Sequence, residues 1–127
     1  MVTSSKNRLE VHEQCYVLEA GYMEPFWDFT LSLTDHPKSL LYLNIEVQDK
    51  VLYIADLYIY DEEGRSNGLG TAVLSHAIKL AKKNGFLKMY GYCTPGINNK
   101  VHNFYKRLGF DIDKEAGRLE LNLIDNN

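Results

Sequence analysis

Apolar and polar residues alternate through the first half of the chain, with the period of two that is typical of half-buried β-strands. The alternation is clearest at 25–34, PFWDFTLSLT, and looser at 8–20, which ends near Gly21. The segments 40–47 and 51–60 flank the short turn QDK and predict a hairpin. The first half is therefore predicted to form four strands, with HPKS as a break between the second and the third.

The second half of the chain changes to the helical period. Apolar residues recur on one helical face from Leu69 to Ala81, and Gly85 ends the pattern. The remaining predicted elements are a strand at 86–93, a helix at 99–108, and a last pair of strands in GFDID and at 118–124. The order β-β-β-β-α-β-α-β-β predicts an α/β (α+β) fold, in which an antiparallel meander leads into a βαβ unit. Its central sheet is then mixed but mostly antiparallel, with two helices.

Composition limits the classes of partner and compartment. The 127 residues suit one domain, 1–127, and the net charge of −3 provides no basic field for nucleic acid. No apolar run approaches the roughly 18–20 residues needed to cross a membrane, and the first residues lack the apolar core of a signal peptide. Cys15 and Cys93 stand far apart without CxxC spacing, which fits a reducing cytoplasm. The four histidines show no metal-ligand spacing, so no metal is predicted.

The stretch RSNGLGT, residues 65–71, places two glycines where the helical pattern begins. A Walker A loop would need a lysine after the second glycine, and a dinucleotide fingerprint would need a third glycine where Val73 stands. The pattern [R/Q]-x-x-G-x-[G/A] does fit, with Arg65 as its first residue. The free amides and the dipole of a helix start favour an anion such as a pyrophosphate. The candidate amide donors are Ser66, Asn67, Gly68, Leu69, Gly70 and Thr71. The alternative is a glycine-tolerant helix start without a ligand.

A second motif follows at the appropriate distance. NNKVHNFYKRLGF, residues 98–110, resembles the second hallmark of the GNAT superfamily of N-acetyltransferases, N-x-x-[A/V]-x-x-[F/L]-Y-x-[K/R]-L-G-F. The matching residues are Asn98, Val101, Phe104, Tyr105, Leu108, Gly109 and Phe110. Two motifs in order, with one strand between them, are more specific than either alone.

This resemblance implies a binding mode for acetyl-CoA. In the family, the strand before the pyrophosphate loop splays from its parallel neighbour, and its backbone pairs with the pantetheine arm. The corresponding residues here are Leu57, Tyr58 and Ile59. RSNG replaces the familiar RGKG, so Arg65 becomes the main positive charge near the phosphates. Asn98 matches the position that contacts the cofactor arm.

The resemblance also implies a reaction. An acetyl group moves from acetyl-CoA to a primary amine by direct attack, through a tetrahedral intermediate whose oxyanion needs an N–H donor. Tyr105 matches the tyrosine near the thioester sulfur and is predicted to give the departing thiolate a proton or a hydrogen bond. The alternative for Tyr105 is a tyrosine packed in the core.

The general base is harder to assign. Asp56 in ADLYI resembles the acid of EDLYV-type strands in members that acetylate polyamines, although Ala55 replaces one of their two acids. Asp56 either lines the cleft or faces solvent, alone or paired with a nearby cation. It and the loop acids 61–63 weakly favour a cationic amine, and solvated loop charges are the simpler explanation. His76 and His102 are interpreted as surface or packing residues.

One departure from the family concerns the acceptor side. GNAT proteins usually place two helices between their first two strands, and the segment 8–40 is too short for both helices and the strands. The acceptor, a small-molecule or peptide amine, therefore stays open, and a second subunit of a homodimer is a candidate to complete its site. A non-catalytic acyl-CoA-binding or regulatory module on the same fold is the rival function.

Overall fold

The computed structural model describes residues 3–60, 68–93 and 99–124. Within these residues, eight strands form one sheet, and two helices accompany it. The strands are Thr3–Val11 (β1), Gln14–Met23 (β2), Phe26–Leu33 (β3), His36–Gln48 (β4), Val51–Ile59 (β5), Lys88–Tyr92 (β6), Asp111–Asp113 (β7) and Arg118–Asn122 (β8). The helices are Leu69–Lys83 (α1) and Asn99–Arg107 (α2). Neither helix is both long enough and apolar enough to span a membrane.

The sheet is mixed and mostly antiparallel, as predicted. Strands β1 to β5 form an antiparallel meander in which each pairs with the next along the chain. The chain then crosses over through α1, and β6 joins β5 in parallel, the connection that a helix-length crossover allows. Strand β8 lies between β6 and β7 and is antiparallel to both.

The prediction of one strand at 8–20 is wrong, because the chain reverses within it. Val11 pairs with Gln14 across a two-residue turn, so β1 and β2 form a hairpin and the sheet has eight strands instead of seven. His12 and Glu13 adopt positive φ angles of 50° and 67°. Such turns usually contain Asn-Gly, which tolerates this backbone, and His-Glu therefore carries no turn signal in the sequence.

The prediction that HPKS breaks the strands is also wrong. Strand β4 already begins at His36, with the register shifted between its partner residues 31 and 33. Ser32 pairs with Ser39 and Leu33 with His36, so residues 37–38 are extra in this ladder. A register irregularity is where a proline is tolerated within a sheet, since proline donates no ladder hydrogen bond.

The hydrophobic core lies between one face of the sheet and the helices. Helix α1 buries the apolar face that its period predicted, and inward residues of β2 to β6 and β8 complete the core. Fully buried examples are Leu18, Phe29, Leu31, Leu43, Leu52, Val73, Leu74, Met89 and Leu119. Both helices lie on this face, because Gly70 of α1 and Phe104 of α2 meet beside Ile59 of β5.

The other face of the sheet, which we call the open face, has no helix over it in the described part of the chain. Most of its side chains are polar or tyrosine, and they alternate with the core residues along each strand. They include Asp28, Tyr42, Asn44, Tyr53, Asp56, Tyr90 and Glu120. Residues 3–60 contain only strands and turns, which agrees with the expectation that 8–40 cannot hold two helices.

Candidate functional site

The two parallel strands of the sheet separate within their length. Strand β5 pairs with β6 only from Val51 to Ile54, opposite Lys88 to Gly91. On its other side, β5 stays paired with β4 as far as Ile59. The second half of β5 therefore continues along β4 while β6 diverges, which is the splay that the family resemblance implied.

A β-bulge at Ala55 lies where the two strands part. Ile54 pairs with Ile45 and Asp56 pairs with Asn44, so Ala55 is the extra residue. A bulge bends its strand and increases the local twist, which gives a physical cause for the divergence from β6.

The bulge also shifts the alternation of the strand by one residue. Leu52 and Ile54 face the core before the bulge, and Leu57 and Ile59 face the same side, toward the helices, after it. The spacing 52, 54, 57, 59 of these apolar residues is a signal from which the bulge could have been predicted.

Helix α1 begins beside the end of β5. Gly68 precedes its first residue with a φ angle of +76°, a left-handed conformation that glycine adopts without strain. The first intrahelical hydrogen bond runs from the Ala72 amide to the Gly68 carbonyl at 3.0 Å, so the Leu69, Gly70 and Thr71 amides precede the helical ladder. The first turn contains no acidic residue. The start of α1 can therefore bind an anion.

Gly70 has a packing role inside the protein. A Cβ added there would lie 3.2 Å from Cε1 of Phe104 and 3.3 Å from Cδ1 of Ile59. The close approach of α1, α2 and β5 therefore explains the second glycine of the motif without a ligand. The prediction that the Gly70 amide contacts a phosphate stays a prediction.

Tyr105 lies on α2 with 8% of its surface exposed. Its ring packs edge-on against Phe104 and Phe110, with centroids 5.0 and 5.3 Å away. Burial raises the pKa of its phenol to about 12, and the nearby Cys93 adds to the shift. The hydroxyl is consequently a hydrogen-bond donor throughout the neutral pH range.

Asp56 projects from the open face, and its side chain is exposed. Its cross-strand neighbour Asn44 donates a 2.6 Å hydrogen bond to Oδ1 of Asp28 on β3. The same oxygen accepts a 2.6 Å hydrogen bond from the hydroxyl of Tyr42. Asp28, Tyr42, Asn44 and Asp56 thus form a polar cluster spread over three strands.

The charges of this cluster act on Tyr42. Its pKa is raised to about 12, chiefly by the hydrogen bond to Asp28, then by burial and the charge of Asp28. Hydrogen bonding between Tyr42 and Asn44 lowers this pKa in part, and the negative charge of Asp56 raises it further. A second carboxylate, that of Asp28, therefore lies on the same face as Asp56, on the far side of Asn44 and two strands away. Sequence reasoning missed Asp28 because only the strand register places it on this row across the sheet.

The sequence model of the Acetyltransferase (GNAT) family matches residues 12–110. The chain belongs to the GNAT family. An uncharacterized N-acetyltransferase of Methanocaldococcus jannaschii is 39% identical over 74 residues, which are 58% of this chain and 30% of that relative. The chain thus spans less than a third of this curated relative.

Solved GNAT structures share the fold. The ribosomal-protein-S18-alanine N-acetyltransferase from Escherichia coli superposes with a TM-score of 0.69 at 17% identity, over 100% of this chain and 97% of that one. The PaiA N-acetyltransferase from Thermoplasma acidophilum, solved in complex with coenzyme A, superposes with a TM-score of 0.66 at 19% identity. That match covers 77% of this chain and 61% of the other.

The structure brings together part of the predicted site of this GNAT protein. The Ile59 end of β5, the α1 start at Gly68–Thr71 and the Phe104–Tyr105 pair of α2 adjoin one another on the helix side of the sheet. Leu57 is half-buried on that side, and Tyr58 is 54% exposed on the open face. Asp56 lies on the open face with Tyr58. Outside the described residues lie Arg65, Ser66, Asn67, Asn98 and the loop acids 61–63.

Proposed function

We propose that this GNAT protein transfers an acetyl group from acetyl-CoA to a primary amine. The observation that carries the proposal is the parting of β5 from β6 after Ile54, with the start of α1 beside the Ile59 end of β5. No side chain of the described residues caps that helix start. An extended arm can pair with a strand that has left its neighbour, and a phosphate can bind the helix amides next to it.

The chain offers a set of groups that fits acetyl-CoA. The backbone of Leu57 and Tyr58 lies where β5 has diverged, and the amides of Leu69, Gly70 and Thr71 begin the helix. Ser66, Asn67, Arg65, Ile59, Gly68 and Asn98 belong to the same proposal on the sequence pattern. The Thermoplasma acidophilum protein of the same fold was crystallised with coenzyme A, which supports this class of ligand. Acetyl-CoA supplies the activated acetyl group.

Tyr105 acts as a hydrogen-bond donor to the sulfur as it departs. With a pKa of about 12, its phenol is a much weaker acid than an alkyl thiol, whose pKa is about 8.5. Complete transfer of its proton to a thiolate would be uphill by about 5 kcal/mol. A charge-assisted hydrogen bond stabilises the developing negative charge without that transfer.

Asp56 receives the acceptor from the open face. Its carboxylate can orient the ammonium form of an amine, and it can take a proton as the amine becomes the neutral nucleophile. The Asp28 carboxylate, two strands away on the same face, adds negative potential, which favours a cationic amine. Because no helix covers this face in the described residues, a peptide amine fits as well as a small molecule. The Escherichia coli protein of this fold acts on a ribosomal-protein alanine.

Two measurements test the proposal. Isothermal titration with acetyl-CoA should show binding at micromolar cofactor, and CoA-thiol release should appear when a panel of polyamines and peptide amines is added. Binding without thiol release from any amine would instead support the non-catalytic acyl-CoA-binding module. Absence of binding at high micromolar acetyl-CoA would reject both functions.

A further inference from the structure

Two pairs of tyrosines on the open face flank the point where β5 and β6 part. Tyr90 and Tyr92 alternate along β6, and their ring centroids are 6.0 Å apart. Tyr58 and Tyr60 alternate at the end of β5, with ring planes 13° from parallel and centroids 6.4 Å apart. Tyr60 stays beside β4, because its amide donates a 2.9 Å hydrogen bond to the Leu40 carbonyl. Each strand thus carries a pair of rings two residues apart.

An arginine of the protein already lies over the first pair. The guanidinium carbon of Arg118 on β8 is 4.6 Å from the centroid of the Tyr90 ring and 5.7 Å from that of Tyr92. Its Nη1 donates a 2.8 Å hydrogen bond to the Tyr92 hydroxyl, and its Nη2 is paired with Glu120 at 3.2 Å. A guanidinium is planar and weakly hydrated, so it stacks on the negative face of an aromatic ring. The open face therefore binds a guanidinium on one tyrosine pair.

The second pair is open to a cation from another molecule. Tyr58 is 54% exposed and Tyr60 is 59% exposed. In the described part of the chain, no cationic side chain lies over either ring. Tyrosine is enriched among the residues that dominate the binding energy of interfaces, and two exposed rings side by side are therefore a candidate recognition surface.

The charges of the open face favour a cationic partner. The three central strands β3 to β5 place three carboxylates on this face, those of Asp28, Glu46 and Asp56. The cations Lys88 and Arg118 of the same face lie on β6 and β8, and both are paired with Glu120. Because unlike charges attract, a cationic group is drawn to the central strands.

We propose that Tyr58 and Tyr60 recognise an arginine side chain of a peptide acceptor. The inference rests on the proposed function, in which Asp56 receives the reacting amine. Asp56, Tyr58 and Tyr60 follow one another on the same face of β5, at about 7 and 13 Å from Asp56 along the chain. In an extended peptide, these distances place the arginine two to four residues from the amine.

The chemistry of the rings favours arginine over the second ammonium of a polyamine. An ammonium is compact and strongly hydrated, whereas a guanidinium lies flat on a ring, as Arg118 does on Tyr90. No helix covers the open face in the described residues, so a peptide chain can cross it.

The test uses two pairs of peptides, one reacting through the N-terminal amine and the other through a lysine. Within each pair, an arginine two residues from the amine is replaced by citrulline, which keeps the shape and removes the charge. We expect kcat/KM, measured by CoA-thiol release, to be about 3- to 30-fold higher for arginine in at least one pair, the range of a cation–π contact. Isothermal titration of the same peptides in the presence of CoA should give a similar ratio of Kd values.

Variants of the protein assign that preference to the rings. Tyr58→Leu combined with Tyr60→Leu should remove it, and the corresponding double phenylalanine variant should keep it because the rings remain. The matched control is Phe26→Leu, since Phe26 is an aromatic residue of β3, 40% exposed on the same face. This control should leave the preference for arginine unchanged.

The outcomes separate this inference from the proposed function. Equal kcat/KM and equal Kd for arginine and citrulline, or a preference that survives the double leucine substitution, would overturn the inference while the proposed function stands. Thiol release from spermidine but from no peptide would assign the face to a polyamine and overturn the peptide. Loss of a homodimer in the double leucine variant, seen by size-exclusion chromatography, would assign the rings to an interface between copies and also overturn it. Tighter binding of the arginine peptide without thiol release from any amine would overturn the proposed function and leave the recognition of arginine supported.

Discussion

Replacement of Tyr105 by phenylalanine tests the contribution of one hydroxyl to the proposed reaction. The ring would keep its edge-on contacts with Phe104 and Phe110. Only the hydroxyl is lost, and one hydrogen bond of a neutral group contributes about 1 kcal/mol to stability. We therefore expect the free energy of unfolding to change by less than about 1 kcal/mol.

The rate should fall by an amount that distinguishes two roles for the hydroxyl. A hydrogen bond to a charged group is worth about 1.5–3 kcal/mol, which corresponds to a loss of roughly 10- to 150-fold in kcat. Complete general-acid transfer would be worth roughly 100- to 10,000-fold. The pKa of about 12 favours the smaller range, because the phenol holds its proton too tightly to release it to a thiolate.

The assay for Tyr105→Phe is CoA-thiol release at saturating amine, with acetyl-CoA affinity measured by titration. Affinity should stay within about two-fold, since the helix start and β5 are unchanged. Tyr16→Phe is the control, because Tyr16 is also a buried tyrosine, at 5% exposure, but lies on β2. An unchanged kcat in Tyr105→Phe would leave this tyrosine as a core residue only. A loss near 10,000-fold with intact affinity would contradict the hydrogen-bond role and support full proton transfer.

Three further predictions concern the acceptor side, the helix start and pH. Asp56→Asn should lower kcat for a cationic acceptor about 10- to 100-fold with acetyl-CoA affinity unchanged, as measured by initial rates over an amine panel. Equal rates would make Asp56 a solvent-facing structural residue. Gly68→Val should abolish acetyl-CoA binding and also destabilise the protein by about 1–2 kcal/mol in chemical denaturation, since φ is +76° there. Full stability in that variant would contradict the left-handed backbone. Burial, aided by Lys79, lowers the pKa of His76, so its neutral form stabilises the fold and the free energy of unfolding should fall as pH drops below about 6.5. His76→Gln should flatten that pH dependence, and an equally steep curve would show that other groups cause it.

The sequence predicts those helices and strands in which apolar residues recur with an unbroken period. The helical face from Leu69 to Ala81 and the alternation in β3 need only neighbouring residues, and both are confirmed. The hairpin turn at His12–Glu13 escapes prediction because its residues are not the ones that favour a left-handed backbone.

The residues of the proposed site also differ in how far the sequence predicts their positions. The motif at 98–110 predicts that Tyr105 lies on a helix, because the whole pattern is contiguous in the chain. The cluster around Asp56 depends on the registers of β3 with β4 and of β4 with β5. Those registers include a bulge, and a shift of one residue exchanges every side chain between the two faces. Asp28 therefore could not be placed on the same face as Asp56 from the sequence.

The bulge at Ala55 connects the two halves of the proposed site. Without the extra residue, the alternation that directs Leu52 and Ile54 inward would direct Asp56 inward as well. A carboxylate would then lie unpaired against the apolar core, which costs several kcal/mol, while Leu57 would face solvent. With the bulge, Asp56 reaches the open face and Leu57 returns to the helix side.

The same residue marks the point where β5 and β6 part. The amine is therefore expected from the open face and acetyl-CoA from the side of α1 and α2. The two substrates would meet at the strand edge between them, where the pairing of β5 with β6 has ended. One inserted residue in the strand thus accounts for both the opening of the sheet and the orientation of the proposed base toward it.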